Sequence, residues 1–304
     1  MALQPIVAAG DGPRVTVDTL VKTPNAIPKR VIQMMDQRFM SDVVLRNGGT
    51  NPSGVTTFFE STPLFLDGEP AEKGEFGEYR VLTSSDGQQR VVTGLDRGFS
   101  IVISERMRRR NQMDRVSQMM IQGRNTMVRT WDTIFRAAVL NHPGIPTMTI
   151  GDNWDTVNGN IRSDILAGKT VVSEQTDSLN TSSFLGFNPD TIIMSIATGN
   201  MIIGNEKYGT VYRGNIASES LAYKGVLPSQ FEGLTPLVSP WWPNDKILIC
   251  ERNTLGFIQD ERGLQSTPLY EDKKTETWRS DTSRISIVGI DQPKAGVILT
   301  GFRT

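Results

Sequence analysis

The sequence predicts an α+β fold, on three observations. A proline-free stretch over residues 105–140 keeps its large apolar side chains to one helical stripe. Short apolar, β-branched runs punctuated by Gly, Pro, Asn and Asp fill residues 50–103 and 234–302. No stretch of 20–50 residues repeats, which excludes solenoids and propellers.

Taken in order, residues 1–27 read as an extended arm, because Pro5, Gly10, Gly12, Pro13 and Pro24 interrupt any regular element. Pro28 suits the first turn of a short helix carrying Val31, Ile32, Met34, Met35, Phe39 and Val43, which Asn47-Gly48-Gly49 should end. Residues 50–103 read as strands and turns, with Asp86-Gly87 as a hairpin turn between 79–83 and 90–93. A weakly apolar, acidic segment of that length is expected to project and find its partner surface elsewhere. Ser104 is a good N-cap for the long helix. At about 36 residues this helix would run ~54 Å, whereas a chain of this length packs into a globule only ~50 Å across. Either it kinks at Gly123 or the subunit is flat with this helix as its spine. Further on, a strand at 147–150, a helix over 160–179, a strand at 191–195 and a helix over 198–205 are expected. Strands at 234–238, 246–250, 255–258, 284–290 and 295–300 complete the chain.

The composition excludes several functions. The chain has 304 residues, 38% of them hydrophobic, and a net charge of -1. A core can form, but a dedicated nucleic-acid binder would be basic. One cysteine, Cys250, and one histidine, His142, leave no disulfide framework and no ordinary Cys/His zinc site. Cys250 follows Ile247, Leu248 and Ile249 and reads as a buried strand thiol; His142 reads as a helix-end residue favouring the helix dipole. No Walker loop, GxGxxG unit or GxSxG elbow occurs. No apolar run approaches the ~18 residues of a membrane span, and residues 1–10 lack the pattern of a secretory signal. No cofactor and no catalytic residue is expected.

Charge is nevertheless localised. Residues 104–140 hold eight arginines and no lysine against three acids, a local charge of +5. Arg106, Arg108, Arg109, Arg110 and Arg115 are candidates for contact with DNA phosphates or with acidic loops of neighbouring subunits. The bland alternative is a solvated face with pairs such as Asp132 with Arg136. Asp67, Glu69, Glu72, Glu75 and Glu78 supply a complementary acidic segment.

A set of motifs in fixed order carries a resemblance. Asn47-Gly48-Gly49-Thr50-Asn51-Pro52-Ser53-Gly54-Val55 leads into Glu60-Ser61-Thr62-Pro63-Leu64-Phe65-Leu66. Ala71-Glu72-Lys73-Gly74-Glu75-Phe76-Gly77-Glu78-Tyr79 follows, then Arg97-Gly98-Phe99-Ser100-Ile101-Val102-Ile103-Ser104-Glu105-Arg106-Met107. Asn188-Pro189-Asp190-Thr191-Ile192-Ile193-Met194 and Asp291-Gln292-Pro293-Lys294-Ala295-Gly296-Val297 complete it. Together these resemble the Hong Kong 97-type major capsid proteins of tailed bacteriophages, especially phages of actinobacteria. The resemblance implies an N-terminal arm (1–47), an extended loop (48–98), a peripheral domain (99–195 plus 286–304) with the spine helix at 104–140, and an axial domain (196–285). It also implies pentamers and hexamers in an icosahedral shell around double-stranded DNA, assembled in the host bacterial cytoplasm, with scaffolding, portal and possible decoration proteins as partners. No long scaffolding region precedes the arm, which implies a separate scaffolding protein or none. Some members crosslink through a lysine and an asparagine. Lys73, the one lysine between 48 and 103, is the candidate here, although it lies off the family's position and no asparagine matches.

An encapsulin-like shell around a cargo enzyme shares this fold. Such shells usually open with an amphipathic helix, and this sequence opens with a proline-broken arm. An unfamiliar α+β enzyme is the third reading, and nothing beyond ordinary composition supports it.

Overall fold

The computed structural model describes residues 16–35, 39–156, 158–177, 183–205, 230 and 232–303. Three short helices lead: α1 (Val17–Lys22), α2 (Ala26–Met35) and α3 (Met40–Val44). Strands β1 (Arg46–Thr50), β2 (Val55–Glu60), β3 (Gln88–Thr93) and β4 (Leu95–Ser104) follow, then α4 (Glu105–Arg109) and α5 (Met113–Leu140). Next come β5 (Thr147–Thr149), α6 (Ile161–Ser173), β6 (Thr191–Ser195) and α7 (Ile196–Gly204). Strands β7 (Thr235–Ser239), β8 (Lys246–Cys250), β9 (Phe257–Ser266), β10 (Tyr270–Asp272), β11 (Thr277–Gly289) and β12 (Gly296–Thr300) complete the chain.

These strands form two five-stranded sheets and one separate hairpin. In the first sheet the long β11 pairs with β4 along one edge and with β9 and β10 along the other, and β1 adds in parallel to β9. The second sheet runs β5-β12-β8-β6-β7. The chain interleaves them: residues 257–289 sit with β4, and β12 returns to the sheet of β6 and β8.

The second sheet shows why its strands read as continuous apolar runs. Ile192, Met194, Ile247, Ile249, Val297 and Leu299 face one core with α6, α7, Trp154 and Phe302. The alternate residues Ile193, Leu248, Cys250 and Ile298 face another, against α3 and the C-terminal end of α5. Both faces of the pleat are buried, so both sets must be apolar. The first two-thirds of α5 pack a third core with α1, α2 and β4, using Met113, Val116, Met120, Met127 and Trp131. At ~1.5 Å per residue α5 is ~42 Å long, and it is the spine on which both sheets hang.

The spine differs from the sequence expectation in one respect. It breaks at 110–112, between α4 and α5, and not at Gly123. Asn111 takes φ +48, a left-handed conformation that Asn tolerates better than most residues. Its side-chain oxygen accepts the Val17 N–H at 2.9 Å, so the break is where α1 docks. Gly123 serves close approach instead: a Cβ there would lie 2.2 Å from the Phe99 ring. Gly123→Ala is therefore expected to destabilise the protein by about 1–3 kcal/mol through overpacking, although helix propensity alone favours alanine by ~1 kcal/mol. Equilibrium urea unfolding reads the sign.

Other expectations are corrected locally. The described part of the arm is helical, not extended: Thr16 caps α1 by accepting the Thr19 N–H at 3.2 Å, and Val17 and Ile27 are buried. Residues 1–15, with the other prolines and glycines of that reading, lie outside the described residues. Asn47-Gly48-Gly49 does not end a helix but lies in β1, where Gly48 admits the Gln259 side chain. The 79–83 strand is absent; β3 pairs with β2, from Val55↔Thr93 to Glu60↔Gln88. Gly87 is needed because any Cβ would collide with the Glu60 carbonyl, not because it turns a tight hairpin. The helix expected to reach 179 ends at Ser173, and 178–182 lie outside the described residues.

Candidate assembly surfaces

The β2–β3 hairpin carries the loop 61–87 away from both sheets. A two-stranded hairpin is marginal alone, and this one is tied down at its root. Phe58 stacks edge-on against Phe257 at 5.1 Å, and the Thr56 hydroxyl donates to Gln259 at 2.6 Å. The Ser61 N–H donates to the Asp291 carbonyl at 2.8 Å, and Arg46 pairs with the Asp291 carboxylate at 2.7 Å.

A buried charge cluster completes the root. Glu60, 7% exposed, accepts from Arg90 Nε at 2.6 Å and lies 3.6 Å from His142 Nε2. The Gly144 N–H donates to His142 Nδ1 at 3.2 Å, which leaves Nε2 to carry the proton toward Glu60. Burial pushes the His142 pKa down; Glu60 works against this and Arg90 with it. His142 is therefore a neutral partner of the loop root rather than the expected cation at the helix end. The unfolded chain takes up a proton near pH 6.5, before the folded one does, so stability falls as pH drops below about 6.5 and levels off under the depressed folded value. His142→Gln should flatten that part of a stability-against-pH curve.

Beyond the root the loop is exposed. Asp67 accepts the Thr83 N–H at 2.9 Å and the Thr83 hydroxyl at 2.5 Å, and these bonds lower its pKa. Glu69, Glu72, Glu75 and Glu78 are exposed and make no ion pair among the described residues. Lys73 lies over the Tyr79 ring at 4.8 Å. Leu64, Phe65 and Leu66 are each about half exposed, Val81 is 85% exposed and Phe76 is 98% exposed.

The arginines divide into two groups. Arg108 is held within the chain: Nε and Nη2 reach Asp18 at 2.8 and 2.7 Å, Glu105 lies at 3.5 Å, and Trp278 lies beneath the guanidinium at 5.1 Å. The Asp18 bonds raise its pKa and lower that of Asp18, where the Lys22 bond contributes most. Arg109 reaches Glu105 at 3.0 Å but stays largely exposed. Arg106, Arg110 and Arg115 are exposed without an ion pair among the described residues. The structure brings none of these arginines to the acidic loop within one chain. The expected Asp132–Arg136 pair does not form either. Arg136 donates to the Trp241 carbonyl, and buried Asp132 accepts the Met40 N–H at 3.1 Å. Burial raises the Asp132 pKa despite that bond and one from Ser239.

Sequence reasoning missed the charged joint at Arg284, which binds Asp42 and Asp260. It also missed the Glu60–Arg90–His142 root. Both join residues far apart in sequence, and no local spacing marks them. Cys250 is the buried strand thiol expected, its pKa pushed up to about 12 by burial.

Two sheets strung on one spine, with a tethered loop thrown clear and its apolar side chains uncovered, define a subunit built for contact with other chains. The phage capsid protein family matches residues 88–299. The chain belongs to that family: it is a phage capsid shell protein of Hong Kong 97-type fold, a structural component of the virion. No curated protein matches it in sequence. Among solved structures it is similar to the capsid of the cyanophage P-SCSP1u, at 12% identity over 86% of each chain with a TM-score of 0.57. A structure from Mycobacterium phage Bobi is 10% identical, with 84% of this chain and 88% of that one covered and a TM-score of 0.55. The SrpI encapsulin of Synechococcus elongatus is 12% identical over 89% of each chain, with a TM-score of 0.52.

Proposed function

We propose that copies of this chain join as pentamers and hexamers into an icosahedral shell that encloses double-stranded DNA. The observation that carries this reading is the loop 61–87, fixed at its root yet uncovered along its apolar and acidic length. Exposed apolar segments of this size mark contact sites. A loop binding a different patch on its neighbour makes a heterologous contact, which closes into rings. Arg106, Arg109, Arg110 and Arg115 contact a neighbour's acidic loop or the packaged phosphates; Arg108 serves the fold of its own chain. The shell assembles in the host bacterial cytoplasm with scaffolding and portal proteins, and Lys73 is a candidate for covalent joining. The domains of this reading are an arm at 1–47, an extended loop at 48–98, a peripheral domain at 99–195 plus 286–304 and an axial domain at 196–285.

An encapsulin-like container is the second reading, because an encapsulin is among the similar folds. The test is to express the chain, alone and with the scaffolding protein of its own virus, and to image it by negative-stain electron microscopy after size exclusion. Closed shells or rings are expected; packaged nucleic acid supports the phage reading and an enclosed enzyme the second. A monomer under both conditions overturns both.

A further inference from the structure

We propose that residues 3–9 of this chain fold back over a groove on their own spine and cover it in the free subunit. The contact lies within one copy, so it stands apart from the shell reading above.

The groove, of about 360 Å³, lies where three elements meet: Phe39, Met40 and Val43 at α3, Val128 on α5, and Leu237 and Val238 on β7. Apolar side chains face solvent there; Val43 is 38% and Val238 39% exposed. Covering such a trough is favourable, because it removes apolar surface from water. Arg124 stands at the rim. It bonds the neighbouring Asn125 side chain, at 2.7 and 3.0 Å, and meets no carboxylate among the described residues.

The first residues of the chain suit that surface. Residues 1–15 lie outside the described residues. Among them Leu3, Ile6, Val7, Ala8 and Ala9 are apolar, and residues 2–12 hold one charged side chain, Asp11. An apolar strip meets an apolar trough, and the one acid answers the arginine at the rim.

Reach allows the contact. The described chain begins at Thr16, which is extended (φ -105, ψ 163), and the next N–H, of Val17, donates to Asn111 Oδ1 at the spine break. From Asn111 to Arg124 and Val128 is about 20–26 Å along the spine, at ~1.5 Å per residue. An extended chain covers about 30 Å from Thr16 back to Val7, and about 43 Å back to Leu3. Gly10, Gly12 and Pro13 oppose a helix that would shorten this link.

The tether selects the chain's own segment over other occupants. Joined at Thr16 by a short link, it meets the groove at an effective concentration on the order of mM. A second copy competes only when its own concentration approaches that value.

Disulfide trapping in the dilute, full-length chain tests this. Cys250 stays in place, since it is fully buried. Ile6→Cys and Val7→Cys are each combined with Val238→Cys, because adjacent residues of an extended chain point to opposite sides. A disulfide forms only where Cα atoms come within about 7 Å. At least one of the two double variants is expected to close within the monomer, read as a faster, reducible band on a denaturing gel. Val43→Cys, on α3, repeats the test should Val238→Cys disturb β7. The same segment cysteines paired with Leu166→Cys, a similarly exposed position on α6, should close at least about tenfold less, which is about 1.4 kcal/mol of preference for the groove. Dimers in place of closed monomers show that the segment covers another copy, and they overturn the proposal. Equal closure with Leu166→Cys, or no closure with either groove position, overturns it too. None of these outcomes touches the shell reading, which the imaging of particles decides separately.

Discussion

Replacing Arg284 by alanine should cost roughly 3–5 kcal/mol of stability, the effect of removing one partner from a buried ion pair. The side chain comes from β11 and is 5% exposed as a residue. Nη1 and Nη2 each donate to an Asp42 carboxylate oxygen at 3.0 Å, and Nε and Nη2 reach Asp260 at 3.1 and 3.3 Å. Phe39 and Trp131 lie against the guanidinium at 5.0 and 5.5 Å. Burial opposes the charge, but the two carboxylates outweigh it and hold the pKa above the usual arginine value. Alanine would leave Asp42 and Asp260 facing each other beside a void. Water can reach both carboxylates in part, so the lower end of the range is expected. Lysine keeps the charge but not the planar fork, so it should recover only part of the loss. Urea unfolding of the alanine and lysine variants tests this, and a loss under about 1 kcal/mol for alanine would show that the joint is incidental. Four elements meet here: α3, α5, β9 and β11.

The parts of this fold legible in the sequence are those whose signal is local. Ile192–Met194 and Ile247–Cys250 are unbroken apolar runs because both faces of their sheet are buried, and the strands these runs predict, Thr191–Ser195 and Lys246–Cys250, are the strands observed. Ser104 reads as a cap, and its hydroxyl accepts the Met107 N–H at 3.3 Å. The acidic stretch 67–78 reads as exposed because it holds almost nothing that can be buried. What failed depended on distant partners. Gly123 looks like a kink until Phe99 is placed against it, and Asn111 looks like an ordinary helix residue until α1 docks on it. Asp86-Gly87 reads as a turn, whereas its glycine is required by Glu60, a residue 27 positions earlier. The candidate site divided in the same way. Residue type identified the acidic loop and the arginine-rich helix. Only the tertiary contacts separate Arg108, already bound to Asp18, from Arg106, Arg110 and Arg115.

That separation yields the second large effect. Reversing Arg106, Arg109, Arg110 and Arg115 together to glutamate should leave a folded subunit and lower the yield of closed particles at least tenfold, an estimate of about 1.4 kcal/mol or more lost across each contact. The fold should survive because exposed substitutions of this kind each change stability by only about 0.5 kcal/mol. Arg109 is the one member with a partner in its own chain, and its pair with Glu105 is solvent-exposed, a class of contact that contributes little. Arg108→Glu should do the reverse. It sets an anion against Asp18 and Glu105, detaches α1 from α4, and lowers the melting temperature before it affects any neighbour. Melting curves and particle counts on the same samples separate the two behaviours. A rescue then identifies the partner. If the arginines meet a neighbour's loop, changing Glu69, Glu72, Glu75 and Glu78 to lysine in the quadruple variant restores the attraction and the particles with it. If they meet packaged phosphates instead, the loop change rescues nothing, and the particles that form hold less DNA. Intact yield and normal DNA content in the quadruple variant would remove both roles and return these arginines to a solvated helix face.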